Sequence, residues 1–154
     1  MLYLLFQLGK DRYALEANRV VEVVPLLPLK KIPGAPRGIA GLFVYRGQPV
    51  PALDLCLLTL DRPARDLLST RIIIVRSGQA SQQQLLGLIA ECATETLRRD
   101  RTDFVHAGMN LPSTPFQGSV LIENGRVIQL LDADRLVSDA VRERLLIPDL
   151  EAQS

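Results

Sequence analysis

Tryptophan is absent, histidine occurs once, cysteine twice, and only 5% of the 154 residues are aromatic. Each shortage removes a class of function. A structural metal site takes about four Cys or His ligands, whereas Cys56, Cys92 and His106 stand far apart with no paired spacing. No metal and no other cofactor is expected, and the two thiols read as buried or half-buried. A barrel that stacks nucleic-acid bases needs aromatic platforms and a basic face. Here 18 Lys plus Arg oppose 17 Asp plus Glu, which leaves no electrostatic footprint for nucleic acid or an anionic membrane. No apolar run approaches the roughly 20 residues that span a bilayer. Met1 to Phe6 is apolar, but it has no basic leader or cleavage site, and Gln7, Lys10, Asp11 and Arg12 interrupt it. The expectation is a cytoplasmic protein with no inserted segment.

Catalytic equipment is also missing. No Ser or Cys sits in a nucleophile-elbow context, and His106 has no evident orienting partner. Gly38 to Gly41 is not a phosphate loop, because no Gly-Lys-Ser/Thr follows. Val50-Pro51-Ala52-Leu53-Asp54 resembles a strand that ends in a phosphorylated aspartate. That chemistry needs an acidic pair near the first strand to hold a divalent ion, and Gln7-Leu8-Gly9 supplies none. Asp54 and Asp132 are expected to cap a following turn or short helix. A phosphoacceptor using Asp54 and a nucleic-acid-binding double β-barrel remain as alternatives.

What is present is punctuation. Ten Pro and ten Gly separate short apolar runs, the texture of a β-rich fold. Leu2 to Leu8 and Arg12 to Leu15 read as strands around a Gly9-Lys10-Asp11 turn. Ala17, Val20, Val21 and Val24 fall at helical spacing, and Pro25 and Pro28 would end that helix. Gly41 to Tyr45 and Gln48 to Leu55 read as a hairpin turning at Arg46-Gly47. Ile72 to Arg76 and Leu85 to Cys92 read as strands, with Ser77 to Gln84 an exposed loop between them. Asn124-Gly125 between apolar runs predicts a two-residue hairpin turn with both centres at positive φ. Asp139 to Ile147 reads as a closing helix stopped by Pro148.

The order of elements recurs at an offset of 73 to 78 residues. Gly41, Arg46-Gly47, Val50, Leu53 and Asp54 have counterparts in Gly118, Asn124-Gly125, Val127, Leu131 and Asp132. A repeat of this kind implies two small related β-barrels packed together, with subdomains about 13–76 and 85–137 in one domain spanning 1–154.

Two features ask for a functional explanation: the rigid Ile32-Pro33-Gly34-Ala35-Pro36 loop, and an arginine held at the tip of a tight hairpin, where its forked donors face solvent. Taken in order, these residues resemble the CheW family. Phe6-Gln7-Leu8-Gly9 and Tyr13-Ala14-Leu15 match its opening strands, and Val20-Val21-Glu22-Val23 its Val-x-Glu-Val. Pro33 to Pro36, Gly41, Arg46-Gly47, Pro51 and Asp54-Leu55 match its most specific motif. Gly87-Leu88-Ile89, Gly118, Asn124-Gly125 and Leu130-Leu131-Asp132 match its later strands.

The resemblance implies an all-β fold of two packed five-stranded SH3-like barrels with short helices, including one at the C-terminus. It implies a non-enzymatic adaptor coupling the cytoplasmic tip of a chemoreceptor to the regulatory domain of a CheA-type histidine kinase, located at membrane-associated receptor arrays. Val20, Glu22, Gly41 and Arg46 match family positions implicated in receptor docking. Tyr45 joins them because it stands where the family has Leu. Ala90-Glu91-Cys92-Ala93 replaces the family's Val-Asp-x-Val, and Thr96 a later Val. These departures point to a dedicated, non-flagellar chemosensory pathway.

Overall fold

The computed structural model describes residues 1–78, 83–106 and 116–136. Ten strands run in chain order: β1 (Leu2–Leu8), β2 (Asp11–Glu16), β3 (Val20–Pro25), β4 (Ile39–Tyr45), β5 (Gln48–Asp54), β6 (Arg71–Ser77), β7 (Gln84–Arg98), β8 (Val105–His106), β9 (Phe116–Glu123) and β10 (Arg126–Leu131). One short helix, α1 (Leu55–Leu60), follows β5, and 3-10 turns occupy Ala17–Arg19, Arg101–Asp103 and Ala133–Arg135. The closing helix expected over Asp139 to Ile147 lies outside the described residues.

The strands form two sheets that share β7. The first half of β7 (Gln84 to Ala90) pairs antiparallel with β6, which pairs with β3, while Gly87–Ile89 pairs in parallel with Ala52–Asp54 of the β4–β5 hairpin. Its second half pairs antiparallel with β1, and β2, β10, β9 and β8 follow. Here too the join to a hairpin is parallel, between Ile128–Leu130 of β10 and Arg12–Ala14 of β2.

Side-chain alternation sorts the core into three layers. Along β1, Leu4, Phe6 and Leu8 face one central cluster with Leu15, Leu53, Ile73, Val75 and Leu88. The intervening Tyr3 and Leu5 pack with Leu121, Ile128 and Leu130. Along β6, Ile73 and Val75 join the central cluster, while Ile72 and Ile74 pack with Phe43, Val50 and Ile89. Both faces of these strands are buried, which is why Leu2 to Phe6 and Ile72 to Val75 are continuous apolar runs rather than alternating ones.

Three local expectations are corrected. The helix read over Ala17 to Val24 is a 3-10 turn followed by β3. Val23 is apolar as well, so the segment is a β-branched run, and its stiff valines pair with the isoleucines of β6. The strand expected to end at Cys92 continues to Arg98, because Ala93 to Arg98 borrows its burial from the apolar β1. Ser77 is no loop residue. It ends β6, is buried, and its Oγ donates to the Ala133 carbonyl at 2.7 Å.

Where β7 passes from one sheet to the other sits Glu91, fully buried. Its carboxylate accepts from the amides of Gly9 (3.2 Å) and Arg65 (2.8 Å), from Arg62 Nη1 (3.1 Å), and from Arg65 Nε and Nη2 (both 3.3 Å). Burial alone would raise its pKa. The guanidinium and amide donors outweigh burial and hold it down at about 2. A depressed carboxylate contributes stability that is present above its ordinary value near 4.5 and lost as pH falls towards about 2. Glu91→Gln should therefore cost on the order of 2–3 kcal/mol at pH 7, because the two arginines are partly hydrated. Urea denaturation at pH 7, 4 and 2.5 should show the gap to the parent protein closing with acid; a gap independent of pH would contradict this role.

Candidate functional site

The tip of the β4–β5 hairpin gathers an exposed cluster of three polar side chains. Arg46 and Gly47 both take positive φ (50° and 79°), the two-residue turn whose twist matches its strands. That turn lifts Arg46 into solvent, its side chain 75% exposed. Tyr45 and Glu22 meet it there, although β3 and β4 share no ladder. The Tyr45 hydroxyl donates to Glu22 Oε1 at 2.6 Å, Arg46 Nη2 lies 3.6 Å from the same oxygen, and the Arg46 guanidinium carbon sits 5.1 Å from the Tyr45 ring centre. The bond to Glu22 is the main influence raising the Tyr45 pKa above its usual 10, so the phenol stays protonated, and a donor, throughout the neutral range. The three side chains form one polar tip presenting a guanidinium, with Val44 exposed beside it.

The other docking candidates lie deeper. Val20 opens β3 half-buried and packs against the central core cluster. Gly41 is buried beneath the preceding loop, where Lys30 exchanges backbone hydrogen bonds with Leu42 at 2.9 and 2.8 Å. A Cβ on Gly41 would stand 2.6 Å from the Lys30 carbonyl oxygen. Pro33 is exposed and Pro36 half-buried in a loop tied by bonds from Ala35 N–H to the Ile32 carbonyl (3.2 Å) and from Ile39 N–H to the Pro36 carbonyl (3.1 Å).

The remaining motif residues are structural. Pro51 is buried opposite Leu42, in the part of β5 that pairs only with β4, so its missing N–H costs no parallel ladder bond. Asp54 is buried. Its Oδ1 accepts from the amides of Cys56 (2.9 Å) and Leu57 (3.3 Å), and its Oδ2 from Ala64 (2.9 Å). Both oxygens serve as a helix cap and a loop anchor, an arrangement unlike an exposed phosphoacceptor. Asp132 likewise accepts from the Asp134 amide at 2.9 Å, capping Ala133–Arg135. Asn124 and Gly125 turn β9 into β10 at φ 53° and 74°, and Gly118 lies within β9. Sequence reasoning passed over Glu91 with Arg62 and Arg65. Its available signals were a carboxylate embedded in the apolar run Leu88 to Ala93 and its place at the Asp of the family's Val-Asp-x-Val.

Comparison with known proteins follows the same outline. The family model of the CheW-like domain matches residues 2–141. The chain belongs to the CheW family. Proteins of this family are non-catalytic scaffolds. The chain is 26% identical over 98 residues to the chemotaxis protein CheW of Helicobacter pylori, a stretch covering 64% of this chain and 57% of that protein. It therefore spans little more than half the length of that curated relative. The crystal structure of the scaffolding protein TtCheW from Thermoanaerobacter tengcongensis superposes with a TM-score of 0.77 at 24% identity, covering 94% of this chain and 92% of the other. That likeness is one of fold.

Two predictions separate support from contact in this CheW-like chain. Gly41→Ala should lower stability by about 1–3 kcal/mol and speed amide exchange at Lys30 and Leu42; unchanged exchange there would show that the close approach is not a constraint. Asp54→Ala should cost about 1–3 kcal/mol through lost caps to buried amides, measured by thermal unfolding, and the parent protein should acquire no adduct on Asp54 with magnesium and acetyl phosphate. An adduct at Asp54 would restore the phosphoacceptor reading.

Proposed function

We propose that this chain is a non-catalytic adaptor that couples the cytoplasmic tip of a chemoreceptor to the regulatory domain of a CheA-type histidine kinase. The observation that carries this reading is the CheW-like match across residues 2–141. The relatives' descriptions as a chemotaxis protein and a scaffolding protein agree with it. No helix among the described residues is long and apolar enough to cross a membrane, which fits a protein that works beside membrane-anchored receptors from the cytoplasm.

In this reading Glu22, Tyr45 and Arg46 are the receptor-facing surface, while Val20 and Gly41 shape it from beneath. A guanidinium that lies beside Tyr45 and 3.6 Å from the Glu22 carboxylate, and is 75% exposed, keeps donors available for a partner's carboxylate or carbonyl groups. The kinase takes the exposed turns and edges at the ends of the sheets. Ile122 and Val127, opposite each other on β9–β10 and both more than half exposed, supply an apolar pair there. The five strands β3, β6, β7, β5 and β4, and the β1, β2, β10, β9, β8 group that borrows the end of β7, are read as two SH3-like barrels. The recurrence of a hairpin, a parallel join and an aspartate cap in each supports the subdomain repeat at about 13–76 and 85–137. Tyr45, bonded to the docking carboxylate, supports the narrower reading of a specialised, non-flagellar pathway.

Arg46→Glu tests the assignment. The variant should keep the parent's circular dichroism spectrum and melting temperature, since Arg46 is exposed. It should bind a receptor cytoplasmic hairpin at least tenfold more weakly, about 1.4 kcal/mol. A natively folded variant that binds as well as the parent removes Arg46 from the docking surface.

A further inference from the structure

The passage of β7 between the sheets leaves an opening that reaches the core residues Leu5 and Phe6 and shares no residue with the β4–β5 tip. Leu5 faces Glu95 and Gln7 faces Glu91, so Phe6 stands opposite three residues, Cys92, Ala93 and Thr94. Cys92 takes φ 50°, and the Ala93 amide leaves the ladder to donate to the Ser69 carbonyl at 3.2 Å. The widened ladder borders a cavity of about 440 Å3 whose polar lining is Gln7, Arg12, Ser69, Cys92, Thr94, Arg126 and one carboxylate, Glu95.

Its donors outnumber its acceptors. Arg12 approaches Glu95 at 3.7 Å and Glu123 at 4.0 Å, both beyond hydrogen-bond length. Glu123 is held instead by Arg99 at 2.9 Å. Arg126 is exposed and makes no ion pair or side-chain hydrogen bond with a described residue. Arg12 and Arg99 thus share the two glutamates, Arg12 only through long ion pairs, and beside the cavity Arg126 keeps its forked donors unused. Two hydroxyl-bearing residues, Ser69 and Thr94, line the same space, and the Ser69 Oγ lies 3.9 Å from Cys92 Sγ.

An oxyanion is the group that complements such a set, since its oxygens accept forked bonds from guanidinium and single bonds from hydroxyls. We propose that this cavity binds a small oxyanion, the carboxylate or phosphate of a low-molecular-weight compound, held by Arg12 and Arg126 with Ser69 and Thr94 completing the shell. The site is separate from the docking tip, so it stands or falls independently of the adaptor reading.

Cys92 serves as the reporter. Cys56 is fully buried, with its thiol pushed up to about 11, chiefly by burial, so mild iodoacetamide labels Cys92 first. Labelling of the full chain is followed by mass spectrometry at matched ionic strength in sodium chloride, inorganic phosphate or glutarate. Phosphate or glutarate should slow labelling of Cys92 severalfold relative to chloride. Protection by phosphate alone identifies a phosphate ligand, and by glutarate alone a carboxylate. Arg126→Gln, which loses no described partner, should weaken the protection, and Arg12→Gln/Arg126→Gln should abolish it. Equal labelling in all three salts, or protection that persists in both variants, would overturn the proposal.

Discussion

A single strand has to satisfy two sheets at once, and most of the architecture answers to that constraint. β7 gives its first half to β6 and β5 and its second half to β1. A continuous ladder would keep both halves in one plane. The change of direction is made at Glu91 and Cys92, where the register slips and Cys92 adopts a left-handed backbone, as bulges do when they bend and twist a strand. The burial of Glu91 beside this point is tolerable only because its donors come from three places: the β1–β2 turn at Gly9, the side chains of Arg62 and Arg65, and the backbone of Arg65. The carboxylate ties the hairpin of one sheet to the long connection of the other. With apolar residues on both faces of β1 and β6, this pin orients the layers that hydrophobic burial would otherwise only press together.

The tip of the β4–β5 hairpin is built on the opposite principle. Its charges stay in water, where an ion pair contributes little to stability, so the Glu22–Tyr45–Arg46 contacts fix side-chain geometry more than they hold the fold. Tyr45 occupies one lone pair of Glu22 and lies near the Arg46 guanidinium, which narrows the orientations Arg46 samples before a partner arrives. Pre-alignment of this kind reduces the entropy lost on association. A leucine at position 45 could not make the bond to Glu22, and the departure from the family pattern changes the character of the surface while leaving the turn intact.

Features set by adjacent residues were legible in the sequence. Arg46-Gly47 and Asn124-Gly125 announced their turns, and Asp54 and Asp132 their caps, because such geometry depends on two to four neighbouring residues. Val20 to Val24 was misread because two valine pairs flanking Glu22 satisfy helical and extended periodicities together, and the deciding partner, β6, lies some fifty residues away. The polar end of β7 gave no strand signal, since its burial is supplied by β1. At the β4–β5 tip, Arg46 stood out as an arginine on a tight turn, and Glu22 was singled out by family likeness. Their convergence on Tyr45 was not, because it depends on strands that never pair.

The placement of β1 and β2 bears on how the chain acquires its structure. Both lie inside the second sheet, β1 between β2 and β7, and β2 between β1 and β10. On a ribosome the β1–β2 hairpin emerges before its neighbours, and both outer edges stay unpaired until residues 84–98 and 126–131 have been made. Contacts so distant along the chain slow folding and lengthen the life of sticky intermediates. Completion of this sheet therefore waits for β10, and until then the apolar β1 is a segment that a chaperone has reason to cover.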